Sequence, residues 1–420
     1  MGSSNAAKAM NWTVGRFGRW AVRLLGVMVV LTAQPPNRLT AQDYRAQAIR
    51  ILRTVPLIDG HNDIPDAIRE RGGVDSVDFA VRQPKLMTDI PRLRAGHVGG
   101  QFWAAYVPVT TMDSGGGTHP ATYALEQIDL VHRLCGKNAR SLAMAYTAAD
   151  VERNFAAGKI SCLIGIEGGH AIENSLGALR MFYKLGTRYM TLTHWRSLDW
   201  ATASTDTARR GLSPFGKQVV LEMNRLGMLV DLSHVNDQTM SDALHASRAP
   251  VIFSHSSARA LANHPRNVPD SILRLVAANR GVVMVNFNPG FVSEAVRAWA
   301  DTVTARLGRL RAAGADSATR ADSSRVWDAT APHATLAQVA DHIEYLRRIV
   351  GVDGVGIGSD FDGITEVPVG LEDVSKFPDL IAELLRRGWT EADVKKVAGL
   401  NTLRVLRDAE RVAREIRATR

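Results

Sequence analysis

The chain has 420 residues, 45% of them hydrophobic and 22% charged, which is the balance of a globular protein able to bury a large core and not of a disordered or collagen-like one. The formal charge of +9 forms no basic stripe with interleaved aromatics, which argues against a nucleic-acid partner. Two cysteines are present, in no zinc-finger or redox spacing.

The first forty residues do not read as folded domain. Arg16, Arg19 and Arg23 precede the apolar run 24–33, which is too short to span a membrane and suits the h-region of a secretory signal. Thr32-Ala33-Gln34 and Thr40-Ala41-Gln42 each offer a signal-peptidase site, and the alternative is an uncleaved N-terminal anchor. Residues 1–41 are therefore expected to be a signal peptide or anchor, with residues 42–420 forming one domain. Lys8, Arg16, Arg19, Arg23 and Arg38 all fall before Ala41 with no acidic residue among them, so loss of this leader lowers the net charge from +9 to +4. No later stretch resembles a transmembrane segment, and the charged tail 411–420 excludes a C-terminal lipid-anchor signal.

Apolar runs bounded by glycine and polar turns predict strands at 57–60, 98–106, 160–166, 189–193, 228–232, 251–254, 282–286 and 355–358. Amphipathic helices are expected between them, at 125–134, 175–185, 215–226, 237–246, 271–278 and 336–349. Eight strands alternating with helices call for a parallel sheet closed into a (β/α)8 barrel. An open doubly wound sheet is the alternative, but no G-x-G-x-x-G or P-loop follows a strand. Cys162 lies inside the apolar run 160–164, where a buried free thiol is the commoner state, so Cys135 and Cys162 are expected to be structural and unpaired. The longest departure from the alternation is 292–333, read as a charged helix over 295–313 and a polar loop over 314–324, inserted over the C-terminal rim.

The strands share one feature, the placement of their polar residues. His61 and Asp63 follow the first apolar run, and in an extended segment residues two apart project to one face. Glu167 follows Ile164-Gly165-Ile166, His194 follows Thr191-Leu192-Thr193, His234 follows Val230-Asp231-Leu232-Ser233, His255 follows Val251-Ile252-Phe253-Ser254, and Asp360 follows Gly356-Ile357-Gly358-Ser359. In a barrel these ends converge on one face, where catalytic residues of such folds lie. Each histidine alone is more often structural than a ligand. Six chance placements together are improbable, and nitrogen and oxygen donors without a nearby cysteine suit zinc.

The runs Ile58-Asp59-Gly60-His61-Asn62-Asp63, Gly165-Ile166-Glu167-Gly168-Gly169-His170, Val230-Asp231-Leu232-Ser233-His234, Ser254-His255-Ser256-Ser257, Arg266-Asn267-Val268-Pro269-Asp270 and Gly356-Ile357-Gly358-Ser359-Asp360-Phe361-Asp362-Gly363 closely resemble the membrane dipeptidase (renal dipeptidase) family of zinc peptidases. The resemblance runs from about residue 44 to about residue 407, with the motifs in the family's order. It implies a dizinc (β/α)8 barrel, with His61 and Asp63 on one Zn2+, His234 and His255 on the other, and Glu167 bridging both. It also implies Asp360 as catalytic acid/base, His194 at the scissile carbonyl, and Arg266 on the substrate's terminal carboxylate. A dipeptide substrate follows, with a C-terminal D-residue tolerated, and a homodimer.

Other readings stay open beside it. Asp362, two residues from Asp360, competes for the acid/base role; His170 is read as a loop or supporting residue; Gly168 and Gly169 are read as letting the backbone pass close to the metals. Another metal-dependent amidohydrolase on the same barrel, or a non-catalytic metal-binding protein, are the rival classes. The family's stapling cysteines and C-terminal anchor signal have no match here, so the resemblance is to an exported bacterial member, periplasmic or extracellular, soluble or tethered to the membrane by its leader.

Overall fold

Runs rich in β-branched and large apolar side chains suit a pleated sheet covered on both faces, the condition of parallel strands in α/β proteins. In the computed structural model, which describes residues 40–113, 117–208, 210–319, 321–322 and 330–419, nine parallel strands form one sheet. They are β1 (Leu57–Asn62), β2 (Val98–Tyr106), β3 (Leu142–Met144), β4 (Ile160–Glu167), β5 (Thr187–Thr191), β6 (Leu229–Asp231), β7 (Ile252–Phe253), β8 (Val282–Val285) and β9 (Val355–Ile357). The order β2-β1-β9-β8-β7-β6-β5-β4 is closed by a β2–β4 ladder from Gly100↔Ser161 to Tyr106↔Glu167, making an eight-stranded barrel.

These barrel strands are the eight expected ones, with ends displaced by up to two residues. The ninth, β3, was not expected. It pairs with Ile160, Ser161 and Cys162 along the edge of β4 that β5 occupies only from Ile164 onward, and three residues are too few to display a period-two pattern. The expected helices appear as Pro120–Lys137, Leu176–Lys184, Pro214–Leu226, Asp237–Ala246, Asp270–Asn279 and Leu336–Val350. Side-chain caps satisfy amides that a first turn leaves unpaired: Asn236 accepts from Thr239 N, and Thr335 from Gln338 N.

Two apolar layers hold the barrel. Ile58, Phe102, Leu163, Tyr189, Ile252 and Met284 belong to one cluster with Leu403 and Leu406 of the C-terminal helix Asn401–Ala418. A larger cluster lies between strands and outer helices. The C-terminal helix meets the N-terminal mouth of the barrel, where Asn401 Nδ2 donates to the carbonyls of Val352 and Val355 at 2.7 and 2.8 Å. The opposite mouth, at the C-terminal ends of the strands, carries the polar residues.

Cys135 on helix Pro120–Lys137 and Cys162 on β4 form a disulfide, with Cα atoms 6.6 Å apart, which corrects the expectation of two free thiols. Both are buried as expected. What the sequence conceals is that this helix packs across β4, so burial sets the two sulfurs against each other.

The excursion after β8 begins with the short helix Pro289–Val292 and continues as Glu294–Ala312, which has no buried residue. Of the loop expected over 314–324, residues 317–319 are helical, and residues 320 and 323–324 lie outside the described residues. The expected leader lies outside them as well, up to residue 39. The compact unit begins at Thr40, whose hydroxyl caps helix Ala41–Leu52 in a capping box with Asp43. Among the described residues no helix is long and apolar enough to cross a membrane.

Candidate active site

Glu167 ends β4 and stands at the centre of the C-terminal mouth. Its two oxygens face different partners. Oε2 lies 3.5 Å from His61 Nε2, which is 3.2 Å from Asp63 Oδ2. Oε1 lies 2.9 Å from His234 Nε2 and 3.3 Å from His255 Nε2, and those two nitrogens are 3.0 Å apart. A tetrahedral site with donor bonds of about 2.0–2.1 Å has donor–donor edges of roughly 3.3 Å, and the groups His61–Glu167–His255, Glu167–His194–His234 and His61–Asp63–Asp360 each bring their donor atoms close enough together to hold an ion. His194 Nε2 is 3.8 Å from Glu167 Oε1, and Asp360 Oδ1 is 4.0 Å from His61 Nε2. All seven side chains are buried or nearly so.

Supporting contacts aim the imidazoles. With Nε2 facing the cluster, His61 Nδ1–H donates to Tyr189 Oη at 2.8 Å, and His255 Nδ1–H donates to Ser254 Oγ at 2.8 Å. Ser254 Oγ in turn donates to Asp231 Oδ2 at 2.7 Å. Gly165 makes room for the first of these contacts, since a Cβ there would meet Tyr189 Cζ at 2.0 Å. His234 and Asp360 both adopt left-handed backbone, at φ 69° and 67°, a conformation that costs free energy in non-glycine residues and gathers at functional sites.

The electrostatics of the cluster ask for positive charge. Burial, with Glu167 and Asp360 adding to it, pushes the Asp63 carboxyl well up. Burial works against protonation of His61, but Tyr189, Asp63 and Glu167 together raise it well above the usual imidazole range. Burial would also raise Glu167, yet His61 and His194 hold it well down, so it stays a carboxylate. Burial drives His234 and His255 well below the usual range, leaving neutral imidazoles, the form that binds a metal. His61 Nε2 is buried without a hydrogen-bond partner. The donor set therefore has the chemistry to hold metal.

Beside the cluster opens a cavity of about 290 Å³, lined among others by Tyr106, Trp195, Arg266 and Phe291. That is the small end of ligand-site volumes. Arg266 is 1% exposed, and its Nη1 and Nη2 donate only to Ser256 Oγ and the His255 carbonyl, both at 3.1 Å. Its Nε has no partner, and among the described residues no carboxylate pairs with it. Burial lowers its pKa from the ordinary guanidinium range to about 10, partly countered by Asp360 and Glu167. Asp360 Oδ2 accepts from Asn286 Nδ2 at 2.9 Å, while burial pushes its carboxyl up. Burial brings the His194 imidazole down to about 4, so it is neutral.

The structure thus gathers every residue singled out for the site: His61, Asp63, Glu167, His194, His234, His255, Arg266 and Asp360. Details differ. Asp63 is not on the strand but stands at the N-cap position of helix Ile64–Arg69, at φ −95°, where its side chain makes no cap hydrogen bond and turns toward His61. Asp362 lines the same cavity as Asp360, although β9 ends at Ile357 and both aspartates sit in left-handed turns where period two no longer applies. Asp362 Oδ1 accepts from Met87 N at 2.7 Å. The close approaches that the glycines at 168 and 169 permit are to protein atoms. A Cβ on Gly168 would strike the His170 ring at 2.4 Å, and one on Gly169 the Leu192 carbonyl at 2.3 Å. His170 itself is buried in the turn Gly169–Ile172. Tyr189, Ser254, Asp231 and Asn286 escaped the sequence reading. Asn286 alone had a usable signal, its position just past an apolar run.

The family model described as membrane dipeptidase (Peptidase family M19) matches residues 45–420. The chain belongs to the membrane dipeptidase family. As a member it is a metallopeptidase-type hydrolase on a (β/α)8 barrel of the metallo-dependent hydrolase kind, with His, Asp and Glu groups able to hold metal. Among solved structures, a metallopeptidase from Rhodobacter sphaeroides, liganded with a phosphinate mimic of the dipeptide L-Ala-D-Ala, is 28% identical with a TM-score of 0.67, covering 84% of this chain and 99% of that one. The metallopeptidase dipeptidase AC is likewise 28% identical at a TM-score of 0.67, covering 85% and 99%. The probable dipeptidase PvdM from Pseudomonas aeruginosa shares the fold at 22% identity and a TM-score of 0.75, covering 89% and 100%.

Proposed function

We propose that this family member hydrolyses dipeptides with a free C-terminal carboxylate, using two zinc ions bridged by Glu167. His61 and Asp63 would hold one ion, and His234 and His255 the other. Nitrogen and oxygen donors without sulfur support zinc, and the two-sided contacts of Glu167 support a pair. The chemistry such a pair supplies is Lewis acidity toward a carbonyl oxygen and a water acidic enough to attack near neutral pH.

The chain's own groups do the rest. Asp360, oriented by Asn286 and kept protonatable by burial, takes a proton at Oδ1 and returns it to the leaving amine. Neutral His194 donates a hydrogen bond to the oxygen on which charge develops. Trp195 and Phe291 flank the Arg266 guanidinium, at 5.8 and 5.4 Å, and limit water around it. The single observation that carries the substrate reading is Arg266, a buried guanidinium in the same cavity as the donor cluster with no carboxylate of its own. A planar fork of this kind suits a carboxylate. The mimic bound by the Rhodobacter sphaeroides relative supports tolerance of a C-terminal D-residue.

Export belongs to the same reading, supported by the Cys135–Cys162 disulfide, since such bonds persist in oxidising compartments. A homodimer rests on the family resemblance alone. The test is metal content by elemental analysis together with hydrolysis of L,L- and L,D-dipeptides before and after chelation. Two zincs per chain with chelator-sensitive cleavage are expected. Bound zinc without dipeptide cleavage would overturn the substrate reading and favour another amidohydrolase activity, and a folded chain that binds no metal would overturn the mechanism.

A further inference from the structure

The helix that follows Asp63 carries a row of carboxylates that the proposed chemistry does not use. Asp63, Asp66, Ala67 and Glu70 stand at i, i+3, i+4 and i+7, the spacing of one helix face, and all four line the catalytic cavity. At 1.5 Å per residue, Asp66 lies about 4.5 Å and Glu70 about 10.5 Å along the axis from Asp63. The row therefore leads from the donor cluster outward to the mouth. Asp66 is half-buried and fixed, its Oδ1 accepting from Tyr123 Oη at 3.1 Å and Gln127 Nε2 at 2.8 Å. Glu70 is exposed.

Among the described residues no cation forms an ion pair with either outer carboxylate, although Arg69 lies near enough to Asp66 to lower its carboxyl somewhat. Arg69 turns away to Glu126 and lies over the Tyr123 ring, and Arg71 donates to the carbonyls of Ala67 and Lys85. Among the described residues no cation pairs with the Glu70 carboxylate. Two carboxylates at i, i+4 repel each other and oppose helix formation, and the Asp66 carboxyl is raised by burial first and by Glu70 as well.

A second observation orients the ligand. Arg266 is the one Lys or Arg among the described residues lining this cavity, and it is buried without a carboxylate partner. A dipeptide whose terminal carboxylate meets Arg266, with its scissile bond beside His194 and Asp360, places its N-terminal residue on the Asp63 side. The side chain of that residue then runs along the Asp66–Glu70 face, past the apolar surfaces of Ala67 and Ile364. An arginyl or lysyl side chain matches this path, with three or four methylenes against apolar surface and a cation at the carboxylates.

From this geometry, and resting on the dipeptidase reading, we infer that the cavity selects dipeptides whose N-terminal residue is Lys or Arg, with Asp66 and Glu70 as the specificity-determining pair. The test compares kcat/KM for Lys-Ala with that for norleucyl-Ala, which keeps the stem and lacks the charge, in the zinc-loaded enzyme and in Glu70→Gln and Glu70→Lys variants. Because the two substrates are compared within one preparation, a reduced folded fraction cancels from the ratio.

The wild-type ratio is expected to favour Lys-Ala by about tenfold or more and to shrink as salt is raised, since Glu70 is exposed. It should fall at least about threefold in Glu70→Gln, and Glu70→Lys should prefer Glu-Ala over Gln-Ala. A wild-type ratio within about twofold of one, with brisk cleavage of both peptides, overturns the subsite and leaves the dipeptidase reading standing. So does a ratio that Glu70→Gln leaves unchanged. Cleavage of neither peptide, nor of any other dipeptide, by the metal-loaded enzyme overturns both readings.

Discussion

Replacing Arg266 with Met should separate function from stability, because the residue is a charge buried in wait for a ligand. The side chain is 1% exposed, and burial depresses its pKa from the ordinary guanidinium range to about 10. That difference corresponds to ~3 kcal/mol of unfavourable charge burial in the unliganded protein. Met keeps the aliphatic stem but removes the donor to Ser256 Oγ and one of two donors to the His255 carbonyl, which still accepts from Asn286 Nδ2 at 3.3 Å, at up to about 1 kcal/mol each. The balance is a gain of ~1 kcal/mol, a rise of roughly 1 °C in Tm for a domain of this size. Activity should move the other way. Removing one partner of a buried, hydrogen-bonded charge pair costs about 2–5 kcal/mol, so kcat/KM on free dipeptides should fall between about thirtyfold and several thousandfold. C-terminally amidated dipeptides, poor substrates of the wild type, should be cleaved no worse by the variant. The assays are a thermal melt at fixed zinc and a paired acid/amide kinetic series. A drop of several degrees in Tm, with equal losses on acid and amide, would show that Arg266 is a structural residue and refute the carboxylate role.

Three further outcomes are expected. Asp360→Asn should retain its zinc by elemental analysis while kcat falls at least about a hundredfold, the scale of a lost general acid/base; near-normal turnover would remove Asp360 from the chemistry. Replacing both Cys135 and Cys162 with Ala should cost about 3.5 kcal/mol for a loop of 27 residues on the chain-entropy account, read as a lower denaturant midpoint with a steeper slope, because the unfolded chain is freed of its cross-link. His342, buried with its Nδ1 accepting from Ala258 N and its Nε2 donating to the Val292 carbonyl, is brought down to about 4 by burial. Its folded pKa lies below its unfolded value of about 6.5, so the unfolded chain binds the extra proton between them. The stability His342 contributes is therefore complete above about pH 6.5 and is lost as pH falls toward 4, by ~3 kcal/mol. A His342→Gln variant should flatten that part of the stability–pH curve, and an unchanged slope would locate the acid sensitivity elsewhere.

The sequence by itself determined the barrel and most of its mouth. Parallel strands buried on both faces must be written as short apolar runs, so Ile160–Glu167 and Val282–Val285 stand out without any knowledge of their partners. Where such runs end in His or a carboxylate, the topology carries them to one face, which is why His61, Glu167, His234, His255 and Asp360 could be named before their neighbours were known. Tertiary structure alone decided what touches what. Tyr189 reaches His61 across the space that Gly165 leaves, and Asp231 reaches His255 through Ser254, contacts between strands that no spacing along one strand encodes. Cys135 and Cys162 became a disulfide because a helix packs over β4, and β3 found an edge because β5 starts late. Asp360 and Asp362 both reach the cavity from left-handed turns, but Asn286 holds the first and the Met87 amide the second. Local pattern is governed by the burial each residue needs, whereas pairing is governed by which buried surfaces meet, and that is a property of the folded chain.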